Sequence, residues 1–209
     1  MDFKRIAVGG SAANPPHIGH LALIETLIHS KLFDVVIWIP SGKHPGKALE
    51  IEPDHRIAMT ELTFPRILRI RSETTLVIKY DDIYKSNTPT INRLELLQAQ
   101  YPNSSITWYT GSDSVIPQKK YGGQCEMEAK WVRGRELFRN CNFLILPRSG
   151  YRQPNNLPPN FQIFDIRLLN VASSTIRKLI AQGRPFEHLL TAEVAEYIKR
   201  FQLYKGDKR

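Results

Sequence analysis

Ile6-Ala7-Val8-Gly9-Gly10-Ser11-Ala12-Ala13-Asn14-Pro15-Pro16-His17-Ile18-Gly19-His20 is the stretch on which the reading of this chain turns. The apolar opening reads as a strand, Gly9-Gly10 as a tight turn, and His17-Ile18-Gly19-His20 as the entry to a helix. A strand-to-helix turn aims backbone N–H groups at one point in space, which suits a phosphate. Glycine lets a ligand approach the backbone with no side chain in the way. His17 and His20 are three apart, so one helical turn puts both on one face. Two imidazoles beside an anion-binding helix start are an arrangement for handling a polyphosphate. The plainer alternative is a glycine turn whose histidines cap or pack.

Outward from this turn, short apolar runs alternate with helix-period segments. Strands are expected at Arg5–Gly9, Val35–Pro40, Ile67–Arg71, Ile106–Thr110, Phe143–Leu146 and Gln162–Asp165. Helices are expected at Gly19–His29, Pro53–Leu62, Thr90–Gln100, Glu128–Arg139, Ser174–Gln182 and Ala192–Phe201. That order predicts an α/β fold: a Rossmann-like, doubly wound, mostly parallel sheet with helices on both faces. The last helices, roughly 173–209, are expected to form a small cap within a single domain spanning 1–209. In such a sheet the ligand sits at the C-terminal strand ends, near the switch in strand order. Gly9-Gly10 and Gly111 both fall at such ends.

A chain of 209 residues with 42% hydrophobic and 23% charged residues has the composition of an ordinary soluble globule. No apolar stretch reaches membrane-spanning length, and the apolar run after Met1-Asp2-Phe3-Lys4-Arg5 is too short for a signal peptide. A cytoplasmic location is expected, with the 2 cysteines, Cys125 and Cys141, as free thiols. Neither lies in a cluster of metal-ligating spacing, so no protein-held metal is expected. The net charge of +9 points to an anionic partner. The sequence carries no helix-turn-helix, zinc finger or aromatic-studded RNA-binding strand, so no obligate nucleic acid is expected. Oligomeric state is not legible.

Near the C-terminus, Ser173-Ser174-Thr175-Ile176-Arg177 precedes a helical pattern. Ser and Thr at a helix start serve its free N–H groups or donate hydroxyls to phosphate oxygens, and Arg177 offers a planar fork of donors. The pairing of His17-Ile18-Gly19-His20 with this element resembles the bacterial nicotinate-nucleotide adenylyltransferases of the HxGH nucleotidyltransferase superfamily. The resemblance runs over nearly the whole chain. Pro40 to Lys47 with Asp54-His55-Arg56 and Met59 is similar to the family's basic loop and the helix behind it. Asn87-Thr88-Pro89-Thr90, Gly111-Ser112-Asp113, Lys130-Trp131, Leu146 to Tyr151 and the ending Thr191–Tyr204 follow in the family's order. There are departures. The turn before His17 is one residue longer than Gly-Gly-Ser/Thr-Phe-Asp-Pro and carries Asn14 in place of Asp. The Ser173–Arg177 element is one residue shorter than Ser-Ser-Thr-x-Ile-Arg.

The resemblance implies attack by the phosphate of a pyridine mononucleotide on the α-phosphorus of ATP, with Mg2+ accompanying the ATP and no protein nucleophile. It implies His17 and His20 as the catalytic pair on the α- and β-phosphates. It implies ATP contacts at Gly9, Gly10, Ser11, Gly19, Gly111, Asp113, Ser173, Ser174, Thr175 and Arg177. Mononucleotide contacts fall to Lys47 at the phosphate, Trp131 stacking on the pyridine ring, and Thr88 near the pyridine carboxyl. Ordinary structural roles stand beside these: strand-end capping for Asp113, a solvated loop lysine for Lys47, core packing for Trp131. Rival acceptors are nicotinamide mononucleotide, phosphopantetheine and glycerol phosphate. The rival outside enzymes is a non-catalytic basic nucleic-acid-binding module, which predicts steeply salt-dependent oligonucleotide binding.

Overall fold

The computed structural model describes residues 3–43, 51–65, 67, 73–148, 150–152, 154–164, 166 and 169–206. The elements run β1 (Arg5–Gly9), α1 (Ile18–His29), β2 (Val35–Trp38), α2 (Pro53–Thr63), β3 (Thr75–Ile78), α3 (Thr90–Gln100) and β4 (Ser105–Gly111). They continue with α4 (Glu126–Lys130), α5 (Gly134–Asn140), β5 (Asn142–Leu146), β6 (Phe161–Ile163), α6 (Ser173–Ala181) and α7 (Ala192–Arg200). The strands form one six-stranded sheet in the order β3-β2-β1-β4-β5-β6. Every neighbouring pair is parallel, with Ile6 opposite Val35 on one side and Ile106 on the other. This is the doubly wound order, and its switch point lies between β1 and β4.

The β1 and β2 sequences are apolar without a polar alternation because both faces are covered. Ile6 and Val8 pack with Val35 and Ile37 beneath α3, α4 and α5, through Ile91, Leu94, Leu97, Met127 and Leu137. Ala7, Val36 and Trp38 face the opposite way, beneath Leu23, Ile24, Leu27 and Ile28 of α1. Thus α1, which follows β1, and α4–α5, which follow β4, leave the sheet on opposite faces. In a doubly wound sheet such a divergence sets the ligand crevice at the carboxyl ends of the strands. A third cluster joins Met59 of α2 to Ile176 and Ile180 of α6 and Val194, Ala195 and Ile198 of α7. Thr191 caps α7, its hydroxyl accepting the Val194 N–H at 3.4 Å.

Three expectations are corrected. The third strand is Thr75–Ile78, paired with Val35–Trp38, and not Ile67–Arg71. Ile67 is helical and packs in the α1-side core, while 68–71 lie outside the described residues. The expected helix Glu128–Arg139 is two helices. Arg133 takes φ +51°, and Gly134 seats so closely that a Cβ would overlap the Met127 carbonyl oxygen. The last strand is Phe161–Ile163, shifted one residue back, and Asp165 lies outside the described residues.

Candidate active site

The site grows from the turn between β1 and α1. Gly9 ends β1, where a Cβ would collide with the Tyr109 ring, and a Cβ on Gly10 would overlap the Ile39 carbonyl oxygen. Both glycines are therefore required by the neighbouring strands β4 and β2, ahead of any ligand. Beyond them the Ser11 hydroxyl accepts the Ala13 N–H at 3.0 Å, and Ala13 sits at φ +48°. This places the extra residue of the turn in a left-handed bend and buries Asn14 at 2% exposure.

That bend is held from three directions. Arg56 of α2 is fully buried, and it donates from Nε to the Ala12 carbonyl at 2.8 Å and from Nη2 to the Ser41 carbonyl. Ser173 at the start of α6 donates to the Pro15 carbonyl at 2.8 Å, and Arg177 Nη1 donates to the Asn14 carbonyl at 2.8 Å. The Tyr204 hydroxyl donates to Asn14 Oδ1 at 2.8 Å. The second motif thus packs directly on the first. Ser173 and Arg177 spend donors on the turn, whereas Ser174 and Thr175 are exposed. Ser174 and Arg177 line an open cavity of about 420 Å³ with Lys178, Ala181, Tyr204, Lys205 and Gly206. Its three cationic side chains, Arg177, Lys178 and Lys205, suit a phosphate-rich occupant.

His17 is the residue before α1, in extended backbone, and His20 is in its first turn. Helix geometry leaves the first amides of α1 outside the helical ladder, so they and the imidazoles meet at one spot. The two rings stack with centroids 3.7 Å apart and planes 17° apart. Gly19 makes room for this, since a Cβ there would sit 3.0 Å from His17 Nδ1. The His17 backbone N–H donates to His20 Nδ1 at 3.2 Å. A ring accepting at Nδ1 is neutral and carries its proton on Nε2. Burial lowers the His17 pKa to about 4. Burial, with His17 beside it, pushes that of His20 well below its ordinary value. Both rings are uncharged at neutral pH, and His17 Nδ1 is buried with no hydrogen-bond partner. His20 is thus a neutral ring with its donor at Nε2.

Trp38, the last residue of β2, was not expected in the site. Its indole meets His20 edge-on at 5.1 Å and Phe64 at 5.4 Å, and so backs the His20 ring. Its only sequence signal was its place at the end of a buried strand.

Across the switch point, Gly111 ends β4, and a Cβ there would overlap Asp113 Oδ1. Asp113 accepts from Arg148 Nη1 at 2.6 Å, and Ser112 Oγ accepts the Arg148 N–H at 3.1 Å. The β4 and β5 ends are tied together here. Thr88 precedes α3 and gives both its N–H, at 3.0 Å, and its hydroxyl, at 2.6 Å, to the Asp82 carboxylate. Trp131 follows α4, half-buried against the core cluster that includes Ile91 and Trp108. Trp131 accordingly packs on the sheet face opposite α1, and Thr88 precedes α3, which covers that same face. Lys47 lies outside the described residues.

Comparison with known proteins places this geometry. A family model described as cytidylyltransferase-like matches residues 8–179. A Bacillus pumilus relative named probable nicotinate-nucleotide adenylyltransferase is 28% identical over 98% of this chain and 100% of its own length. A Synechococcus relative of the same name is 27% identical, with 98% of each chain covered. The solved Plasmodium falciparum nicotinic acid mononucleotide adenylyltransferase, complexed with NaAD, superimposes with a TM-score of 0.79. It shares 20% identity, over 96% of this chain and 97% of that one.

Proposed function

Because the chain belongs to the cytidylyltransferase-like family, we propose that it transfers the adenylyl group of ATP to nicotinate mononucleotide. The products are nicotinate adenine dinucleotide and pyrophosphate, in NAD biosynthesis. Relatives of that name align with the chain from end to end. The observation that carries the chemistry is the stacked, neutral His17–His20 pair at the start of α1, beside the sheet's switch point.

A phosphate oxygen of the mononucleotide attacks the α-phosphorus, and the bond from that phosphorus to the bridging oxygen breaks as pyrophosphate leaves. Charge grows on the leaving group. His20, with its proton on Nε2, donates a hydrogen bond there, and the α1 amides add fixed positive dipole ends. His17 Nδ1 is the buried polar atom left for a phosphate or bridging water. Gly9, Gly10, Ser11 and Gly19 shape the turn beneath the phosphates, while Ser174, Thr175 and Arg177 serve the β/γ end of ATP. Gly111 and Asp113 face the ribose, with Arg148 steadying the carboxylate. Thr88, Trp131 and Lys47 belong to the mononucleotide. Catalysis is by positioning and charge stabilisation, with no protein nucleophile.

Magnesium fits as an ion brought by the nucleotide. It would be held mainly by phosphate oxygens and water. When bound it supplies charge neutralisation on the triphosphate. The free thiols of Cys125 and Cys141 fit a cytoplasmic setting, and among the described residues no helix is long and apolar enough to cross a membrane.

The test is pyrophosphate release from Mg–ATP with nicotinate mononucleotide, nicotinamide mononucleotide and phosphopantetheine in parallel. The expected result is fastest turnover with nicotinate mononucleotide. Faster turnover with either other acceptor would replace the substrate and keep the chemistry. No release with any acceptor by folded protein would overturn the reading.

A further inference from the structure

Arg93 is an arginine in the first turn of α3, and its side chain is only 7% exposed. Its partner Asp82 is 6% exposed, at 2.5 Å from Nη2, while Nη1 donates to the more exposed Asp81 at 2.9 Å. The Asp82 carboxylate also accepts both the N–H and the hydroxyl of Thr88. Burial pushes the Asp82 carboxyl up, but the bonds from Thr88 and Arg93 outweigh it and hold the group below its ordinary range. Asp82 is therefore an ionised carboxylate deep in the fold, kept there by a guanidinium and by the residue assigned to the pyridine end of the acceptor.

The same loop is laced to the segment that follows β2. The Lys43 N–H donates to the Lys85 carbonyl at 2.8 Å, and the Asn87 N–H donates to the Lys43 carbonyl at 2.9 Å. Gly42 fits beneath the loop so closely that a Cβ would overlap the carbonyl oxygens of Asp82 and Lys85. Removing the buried pair thus releases the loop carrying Thr88 and loosens its hold on Gly42 and Lys43. The β1–α1 turn touches this segment at Ser41, whose N–H donates to the Ser11 carbonyl at 2.9 Å, but it keeps anchors of its own in Arg56 on Ala12, Ser173 on Pro15, and Arg177 and Tyr204 on Asn14.

We infer that the buried Arg93–Asp82 pair is a positioning device for the acceptor side of the site, fixing Thr88 and the loop ends while leaving the ATP side untouched. The inference rests on the proposed adenylyl transfer to a mononucleotide. Arg93 and Asp82 act through Thr88 and touch no substrate themselves.

The test is steady-state kinetics with each substrate varied in turn. Arg93→Lys comes first because it keeps the charge but has no fork to span Asp81 and Asp82. The double variant Asp82→Asn/Arg93→Met follows, which removes both charges so that neither is stranded in the interior. In the folded double variant the KM for nicotinate mononucleotide is expected to rise about tenfold, with the KM for ATP within about twofold of wild type. Arg93→Lys is expected to fall between. Equal rises in both KM values, or no change in either, would overturn the inference. So would failure of Arg93→Lys to fold, which would make the pair a requirement of the fold instead. Absence of turnover by wild-type enzyme would refute the underlying activity, an outcome separate from any ratio between variants.

Discussion

His17 shows how a single residue couples folding to pH. It is 6% exposed, and burial takes its pKa from 6.5 to about 4. Between those values the unfolded chain binds a proton that the folded chain refuses. Stability from the neutral ring is therefore complete above pH 6.5 and lost as pH falls towards 4, amounting to about 3 kcal/mol over the window. His20 shifts in the same direction. Urea unfolding midpoints from pH 7 to 4.5 should fall for wild type and fall less steeply for His17→Asn. Identical slopes would refute a neutral, buried His17.

At the scale of elements, the turn between β1 and α1 depends on parts distant in sequence. Arg56 of α2 is buried and joins the turn at Ala12 to the β2 end at Ser41. Arg56→Met leaves both carbonyls without this donor and should cost about 2 kcal/mol or more, read as a lower thermal midpoint with weaker ATP binding. Unchanged stability would mean those bonds carry no net energy. The turn's own sequence announced a strand, a tight turn and a helix entered at His17, because turn and helix-start signals act locally. What holds the turn was not legible. Asn14 and Tyr204 are 190 residues apart, and no spacing rule joins them. The exchange of Asp for Asn becomes intelligible only with Tyr204 in place, since the amide oxygen accepts its hydroxyl without burying a charge. The third strand was misplaced for a related reason. Ile67–Arg71 and Thr75–Ile78 are both short apolar runs that periodicity does not separate, and pairing with β2 chose the second. Arg133 and Gly134 broke the expected helix through one tight approach to Met127, a contact invisible to periodicity.

For the whole molecule, alternating strands and helices were enough to give the parallel sheet. The switch point fell where Gly9-Gly10 and Gly111 had placed it, because doubly wound sheets obey a handedness rule independent of side-chain detail. The histidines sit with α1 and Trp38 on one face of the sheet, and Trp131 packs on the face covered by α3–α5. The central claim is that His20 acts on the transition state more than on bound ATP. A single-turnover acid-quench measurement with ATP, magnesium and nicotinate mononucleotide, paired with the ATP dissociation constant, tests it for wild type and His20→Ala. The expected result is a chemical step slowed about 10²–10³-fold with ATP affinity changed by less than about threefold. Equal losses in rate and affinity would contradict it, reducing His20 to a ground-state contact.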